Sequence, residues 1–148
     1  MEQPQSTHAN KLRQAHVALV KDLGKLQDGA HAPQQQGDLT SPANLAALLQ
    51  ATRAHVAEHF QLEEEQGYMA EVVTEYPHIE RTVEQLHQEH RQLLRTLDDL
   101  ITEVGSVPVL PITIWATIQN WVGAVQAHET RENLLVQDAF NVDLAAED

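Results

Sequence analysis

The sequence predicts an all-α protein, an antiparallel up-down-up-down four-helix bundle with a di-metal site in its core. Three observations carry that expectation. Four segments repeat apolar residues at alternating steps of four and three, the spacing that turns one helix face toward a bundle core. No segment shows the apolar/polar alternation between turn residues that marks a strand. Each of the four apolar seams is broken by histidine, and two of them by histidine with glutamate four residues later.

The first helix is expected over about 8–28, with the seam Leu12, His16, Leu19, Leu23 and Leu26, and it stops where the period fails at Asp28-Gly29. Residues 29–41 read as a linker rich in Gln, Pro and Gly. Ser41-Pro42 then opens a helix, serine as N-cap and proline at the first helical position. The second helix is expected over 42–75, with the seam Leu45, Leu49, Thr52, Val56, His59 and Glu63. It weakens at Gly67 and closes at Tyr76-Pro77, because a residue before proline is kept out of the helical region. The third, over 78–103, carries Ile79, Val83, Leu86, His90, Leu93, Leu97 and Leu100. Gly105, Pro108 and Pro111 mark the next connection. The fourth, over 112–140, carries Ile114, Ile118, Trp121, Val125, His128, Glu132 and Leu135, and the acidic 141–148 reads as a frayed or loosely docked tail. Short turns after the second and third helices favour antiparallel neighbours.

Composition narrows the chemistry. The 148 residues suit one domain, 1–148, with a sizeable core. The absence of cysteine excludes disulfides, thiolate metal sites and iron–sulfur clusters, so any metal takes nitrogen and oxygen ligands. A formal charge of −13 argues against nucleic acid as a partner, since phosphate contacts need a basic patch. No apolar run approaches the roughly 20 residues of a membrane span, and Met1 to Asn10 holds no apolar segment of a secretory signal. The expectation is a soluble, cytoplasmic protein with no membrane partner.

Burying one unpartnered imidazole or carboxylate costs several kcal/mol. Burying several from four different helices is tolerable when they share cations that satisfy them together. An ideal helix advances about 100° per residue, so Glu63 falls on the inner arc with His59 while Glu64 and Glu65 read as a solvated face. His128 and Glu132 repeat the spacing of His59 and Glu63, which sets imidazole and carboxylate one turn apart on one face. There the histidine binds one ion while the carboxylate bridges to a second. The candidate metal ligands are therefore His16, His59, Glu63, His90, His128 and Glu132. A histidine alone on an apolar stripe is ordinarily a hydrogen-bonded core residue, and His16 by itself implies no more than that; the joint pattern is what points to a shared site. Two further candidates are His87, on the flank of its helix, and His55, one turn before His59. The latter is open as a seventh ligand, a group supporting a ligating histidine, or a surface residue. His8, His31 and His78 lie at helix ends or in loops and are not candidates.

Such donors suit iron, manganese, zinc or cobalt, and four His with two Glu across two ions leave positions open for a small ligand. Ferritin-like bundles also place carboxylates and histidines on four helices, using Glu-x-x-His from two of them. Glu84-x-x-His87 matches that string, but the fourth helix has His-x-x-x-Glu and the first has His16 in place of Glu.

Taken together, His16, the string His59-Phe60-Gln61-Leu62-Glu63-Glu64, Tyr76-Pro77 followed by His90, and His128-Glu129-Thr130-Arg131-Glu132 resemble the hemerythrin-like family, also described as HHE cation-binding domains. The resemblance covers about His8 to Phe140. It implies a bundle holding two iron ions with an oxo or hydroxo bridge, the six residues above as ligands, and Glu63 and Glu132 bridging. The chain departs from oxygen-carrying members, which place a second histidine where Leu86 stands and use His-x-x-x-x-Asp where His128-x-x-x-Glu132 stands. Those departures resemble members associated with iron or oxygen sensing. The expected function is thus a non-heme di-iron protein that binds or senses iron, dioxygen or a related ligand such as peroxide or nitric oxide, signalling through a separate protein partner. Two alternatives stay open: an oxidase or peroxidase-type di-iron enzyme, and a structural di-metal bundle holding zinc. Tyr68 off the inner face and Tyr76 in a turn favour binding over catalysis.

Overall fold

A computed structural model of the chain describes residues 4–35, 37–66 and 73–147, with side chains placed over 10–35, 37–65 and 73–138. Four long helices account for most of them: α1 (Pro4–His31), α2 (Pro42–Gln66), α3 (Glu80–Gly105) and α4 (Ile114–Glu147). No strand occurs among the described residues. Helix α1 packs on α2, α2 on α3, α3 on α4, and α4 returns to α1.

The seams read from the sequence are the buried faces. On α3, Val83, Leu86, His90, Leu93, Leu97, Leu100 and Val104 are buried, steps of three and four throughout. Each large aliphatic residue so enclosed contributes about 1.5–3 kcal/mol over its exposed state. Thr52 sits within the α2 seam because its hydroxyl donates to the Leu48 carbonyl one turn back (2.8 Å), leaving only its methyl to pack. The apolar side chains form two clusters. The larger holds Leu19, Leu23 and Leu26 of α1, Leu45, Leu49 and Val56 of α2, Leu93 to Val104 of α3, and Ile114 to Val125 of α4. The smaller joins Ile79, Val83 and Leu86 to Leu135 and Val136. Along α3 and α4 the histidine and glutamate positions fall between the two, so a polar layer interrupts an otherwise apolar interior.

Contacts between neighbouring helices fix their register. His16 meets the ring of His59 while Asp22 meets His55; Arg53 pairs with Asp98 while Glu64 lies beside His87. The Trp121 indole N–H donates to the Leu93 carbonyl (2.9 Å), and Arg131 pairs with Glu89. Gly29 faces Trp115, and His16 faces Glu129. In every pair the numbers rise along one helix as they fall along the next.

Several boundaries differ from expectation, each for a local reason. Helix α1 runs through Gly29 to His31 instead of stopping at 28. That glycine is buried, and a Cβ there would come within 2.8 Å of both Trp115 and Leu39. It therefore serves close packing, not termination. The expected linker 29–41 is largely built structure. A 3-10 turn covers Pro33–Gln35, the Leu39 N–H donates to the Pro33 carbonyl (2.8 Å), and the Asn44 side chain donates to the carbonyls of Gly37 and Asp38 (3.2 and 3.1 Å). Left-handed backbone at Gly37 (φ 78°) and Asp38 (φ 55°) makes that reversal. Pro42 begins α2 as expected, with the Asn44 N–H directed at the Ser41 hydroxyl (3.5 Å).

The weakening expected at Gly67 and the placement of Tyr68 lie outside the described residues. Residues 73–75 are helical, Tyr76 breaks the helix (φ −128°, ψ 75°), and a 3-10 turn over Pro77–Ile79 leads into α3. Helix α4 starts at Ile114, not 112, and Ile112 is fully exposed. Within the expected tail, residues 141–147 continue α4 as helix. The segment contains neither glycine nor proline and ends in Leu144-Ala145-Ala146-Glu147, strong helix formers. No helix among the described residues is long and apolar enough to cross a membrane.

Helix propensity alone makes Gly29→Ala stabilising by up to about 1 kcal/mol. The contact with the rigid Trp115 ring reverses the sign. We expect a loss of about 1–3 kcal/mol in chemical denaturation, and a gain in stability would show that Trp115 does not rest on this glycine.

Candidate metal centre

The buried polar layer is assembled from three helices, with α1 at its rim. His59 and Glu63 come from α2, His90 from α3, and His128 and Glu132 from α4; each is 3% exposed or less. Their burial follows from position, since His90 stands between Leu86 and Leu93 on its seam and His128 follows Val125 on its own. His16 differs from the expectation of a buried ligand. Its side chain is 50% exposed, because Ala15 takes the inward position of α1 and leaves the imidazole at the rim.

The ring nitrogens and carboxylates converge. His59 Nε2 lies 3.3 Å from Glu63 Oε1, and His90 Nε2 lies 3.7 Å from that same oxygen and 2.8 Å from Glu132 Oε1. His128 Nε2 touches Glu132 Oε1 as well. Glu129, one turn before Glu132, adds a third carboxylate 3.2 Å from His59 Nε2 and 3.9 Å from His16 Nδ1. Three sets of donors result: His16, His59 and Glu129; His90, His128 and Glu132; and Glu63, Glu129 and Glu132. Within each, the ligand atoms lie no more than 4.8 Å apart. Donors around one ion at bonds of about 2.0–2.2 Å stand at most about 4.4 Å apart, so each set is within a few tenths of an ångström of that limit.

Neighbouring groups hold the imidazoles in place. His128 Nδ1–H donates to Glu89 Oε1 (2.8 Å), which leaves Nε2 directed into the cluster. Glu89 is in turn anchored by Arg131. Burial pushes the Glu89 carboxyl up, but the bonds from His128 and Arg131 outweigh it and keep it ionised below the usual range. His128 is pulled the opposite way: burial lowers its pKa, while Glu132 and Glu89 together raise it above its ordinary value. Phe60 stacks on the His90 ring, centroids 3.9 Å apart and planes 8° from parallel, and meets His128 edge-on.

The two carboxylates at the centre cannot both be charged without compensation. Burial, and then Glu132, push Glu63 up to about 11. Burial also pushes Glu132 up, but hydrogen bonds from His128 and His90 prevail and hold it far below the carboxylate range. Even so, Glu63 Oε1 and Glu132 Oε2 are buried with no hydrogen-bond partner. Oxygens of that kind, amid imidazole nitrogens and with no sulfur in the chain, fit a divalent cation.

The other candidates stand apart from these sets. His55 lies against α1, where its Nδ1 meets the buried carboxylate of Asp22. His87 stacks at 5.7 Å on the outer side of His90 and has its Nδ1 3.8 Å from Glu64; burial lowers its pKa and so favours the neutral ring. Glu64, expected in solvent, instead turns toward α3 with Oε2 3.6 Å from His90 Nδ1, while Glu65 is exposed as expected. Its long side chain reaches the helix packed on that flank. His31 and His78 are exposed, and the side chain of His8 is outside the described set. Sequence reading missed Glu129, Glu89, Phe60 and Asp22. One signal was available for Glu129, which precedes Glu132 by three residues and so shares its face.

The model of the hemerythrin HHE cation-binding domain matches residues 7–140. The chain belongs to that family. No curated protein and no solved structure matches it. Membership in the HHE family implies cation binding, and the donor sets of this HHE domain give that activity a place.

Burial and the neighbouring Glu132 favour the protonated form of Glu63, so a cation entering the cluster is expected to expel that proton. Apparent affinity then climbs as pH rises, by about tenfold per unit for one displaced proton. Titration calorimetry of zinc or ferrous ion in buffers of different ionisation enthalpy measures the release, and uptake without proton release contradicts the assignment.

Proposed function

We propose that this HHE domain is an antiparallel up-down-up-down four-helix bundle that holds two iron ions and binds or senses a small ligand. His16 and His59 serve one ion, His90 and His128 the other, and Glu63 and Glu132 lie between. The observation that carries this reading is the position of Glu63 Oε1, which stands within 3.3 Å of a histidine of the first pair and 3.7 Å of one of the second. A carboxylate shared by two groups of imidazoles is what a pair of neighbouring ions requires, since each ion then gains charge compensation from one side chain. The opposed numbering of neighbouring helices supports the up-down layout.

Iron is favoured over softer metals by the nitrogen and oxygen donors, and by family membership. Two redox-active ions with open positions supply a place for dioxygen, peroxide or nitric oxide to bind. The protein's own residues set the conditions for that binding. Glu89 and Phe60 fix two imidazoles, and apolar clusters close the layer above and below.

Metal analysis and the visible spectrum of aerobically purified protein test the reading. Two iron ions per chain and near-ultraviolet absorption of a coupled ferric pair are expected; one ion, or zinc alone, contradicts it. Within the same assay His90→Ala is expected to lower metal content and His87→Ala to leave it nearly unchanged. Equal losses would move His87 into the ligand set.

A further inference from the structure

We propose that Glu129 is a carboxylate ligand at the His16–His59 position, and that this outer position fills after the buried His90–His128 position and more weakly. The inference rests on the two-cation reading above and assigns to α4 a donor beyond the two already placed in the cluster.

Glu129 Oε1 stands 3.2 Å from His59 Nε2, and its other oxygen 3.9 Å from His16 Nδ1, so one carboxylate spans the histidines of two other helices. The same side chain lies within 4.8 Å of the ligand atoms of Glu63 and Glu132. Three carboxylates at that separation stay together either by protonation, the form favoured at Glu63 while no cation is bound, or by positive charge among them. The nearby cationic side chain on α4, Arg131, is engaged with Glu89. Glu63 Oε1 and Glu132 Oε2 are both buried with no hydrogen-bond partner. Two dications bring four positive charges into a layer where Glu63 and Glu132 supply two negative ones. A third carboxylate reduces the excess in surroundings of low dielectric constant, where uncompensated charge is most costly.

Inequality follows from exposure and support. His90, His128 and Glu132 are all buried, with Phe60 and Glu89 already fixing the rings. At the other position the His16 side chain is 50% exposed and Glu129 18% exposed. Water reaches those donors, and ordering the half-exposed imidazole costs conformational entropy that the inner set does not lose. The outer cation is then the exchangeable one, and its occupancy is the quantity that responds to cation supply.

Anaerobic titration with ferrous ion, followed by equilibrium dialysis, tests this in wild type, Glu129→Gln, Glu129→Asp and the exposed control Glu65→Gln. Wild type and the control are expected to take up two ions in two unequal steps. Glu129→Gln, nearly isosteric and at a partly exposed site, is expected to keep the tighter step and to weaken the second by about tenfold or more. Glu129→Asp retains the charge with a shorter reach and is expected to fall between. Unchanged second-step binding in Glu129→Gln, or equal weakening of both steps, overturns the proposal. Uptake of fewer than two ions by wild type overturns the two-cation reading instead, which keeps the two failures distinct.

Discussion

Glu63 and Glu132 place negative charge, or its protonated equivalent, in the middle of a helical interior that is apolar above and below them. Each is enclosed by side chains from helices other than its own, and each leaves an oxygen without a hydrogen-bond donor. A group in that condition costs about 1–3 kcal/mol or more even when neutral. Larger aliphatic residues at the same positions would extend the leucine seams without that cost. What the arrangement gains is a set of imidazole nitrogens and carboxylate oxygens facing one another across helices that are far apart in sequence.

The rest of the molecule can be understood as keeping that layer fixed. Leu19, Leu97, Ile118 and their neighbours lock the four helices on one side, and Trp121 ties α4 to a carbonyl of α3 next to the histidines. On the other side Ile79, Val83 and Leu86 close the layer. Phe60 lies flat on His90, and Glu89 orients His128, so two of the imidazoles have little freedom to turn away. Among the described donors His16, on the α1 side, is the most exposed and stands at the rim. The imidazoles of α3 and α4 are thus enclosed while that of α1 meets solvent, a combination suited to entry and exit of small species at that edge.

Seam periodicity made the helices and the burial of His59, Glu63, His90, His128 and Glu132 legible, because a histidine or glutamate at a leucine position stands out against steps of three and four. The same reasoning treats off-seam residues as solvated, and there it failed. Glu64 lies one residue past the seam yet turns to α3, since a long side chain on the flank of one helix reaches the next. Glu129 and Glu89 were missed for the same reason. The first helix was expected to stop at Asp28-Gly29 because the apolar period fails there, whereas a bulky ring from α4 needs the space that the absent side chain of Gly29 leaves. At the end of α4 the apolar period runs out before the helix does, since an acidic segment without glycine or proline is compatible with helix. In each case pattern along the chain gave the face, and the identity of the neighbour across the interface decided the outcome.

Donors of one set reach those of another through Glu63, so the central claim is that two cations lie side by side within the layer. Anomalous diffraction from crystals of the iron-loaded protein, collected on both sides of the iron absorption edge, addresses it directly. Two peaks roughly 3.5–4 Å apart, one beside His16 and His59 and one beside His90 and His128, are expected. A single peak, or iron bound only at the acidic surface with Glu63 and Glu132 unengaged, would contradict the account.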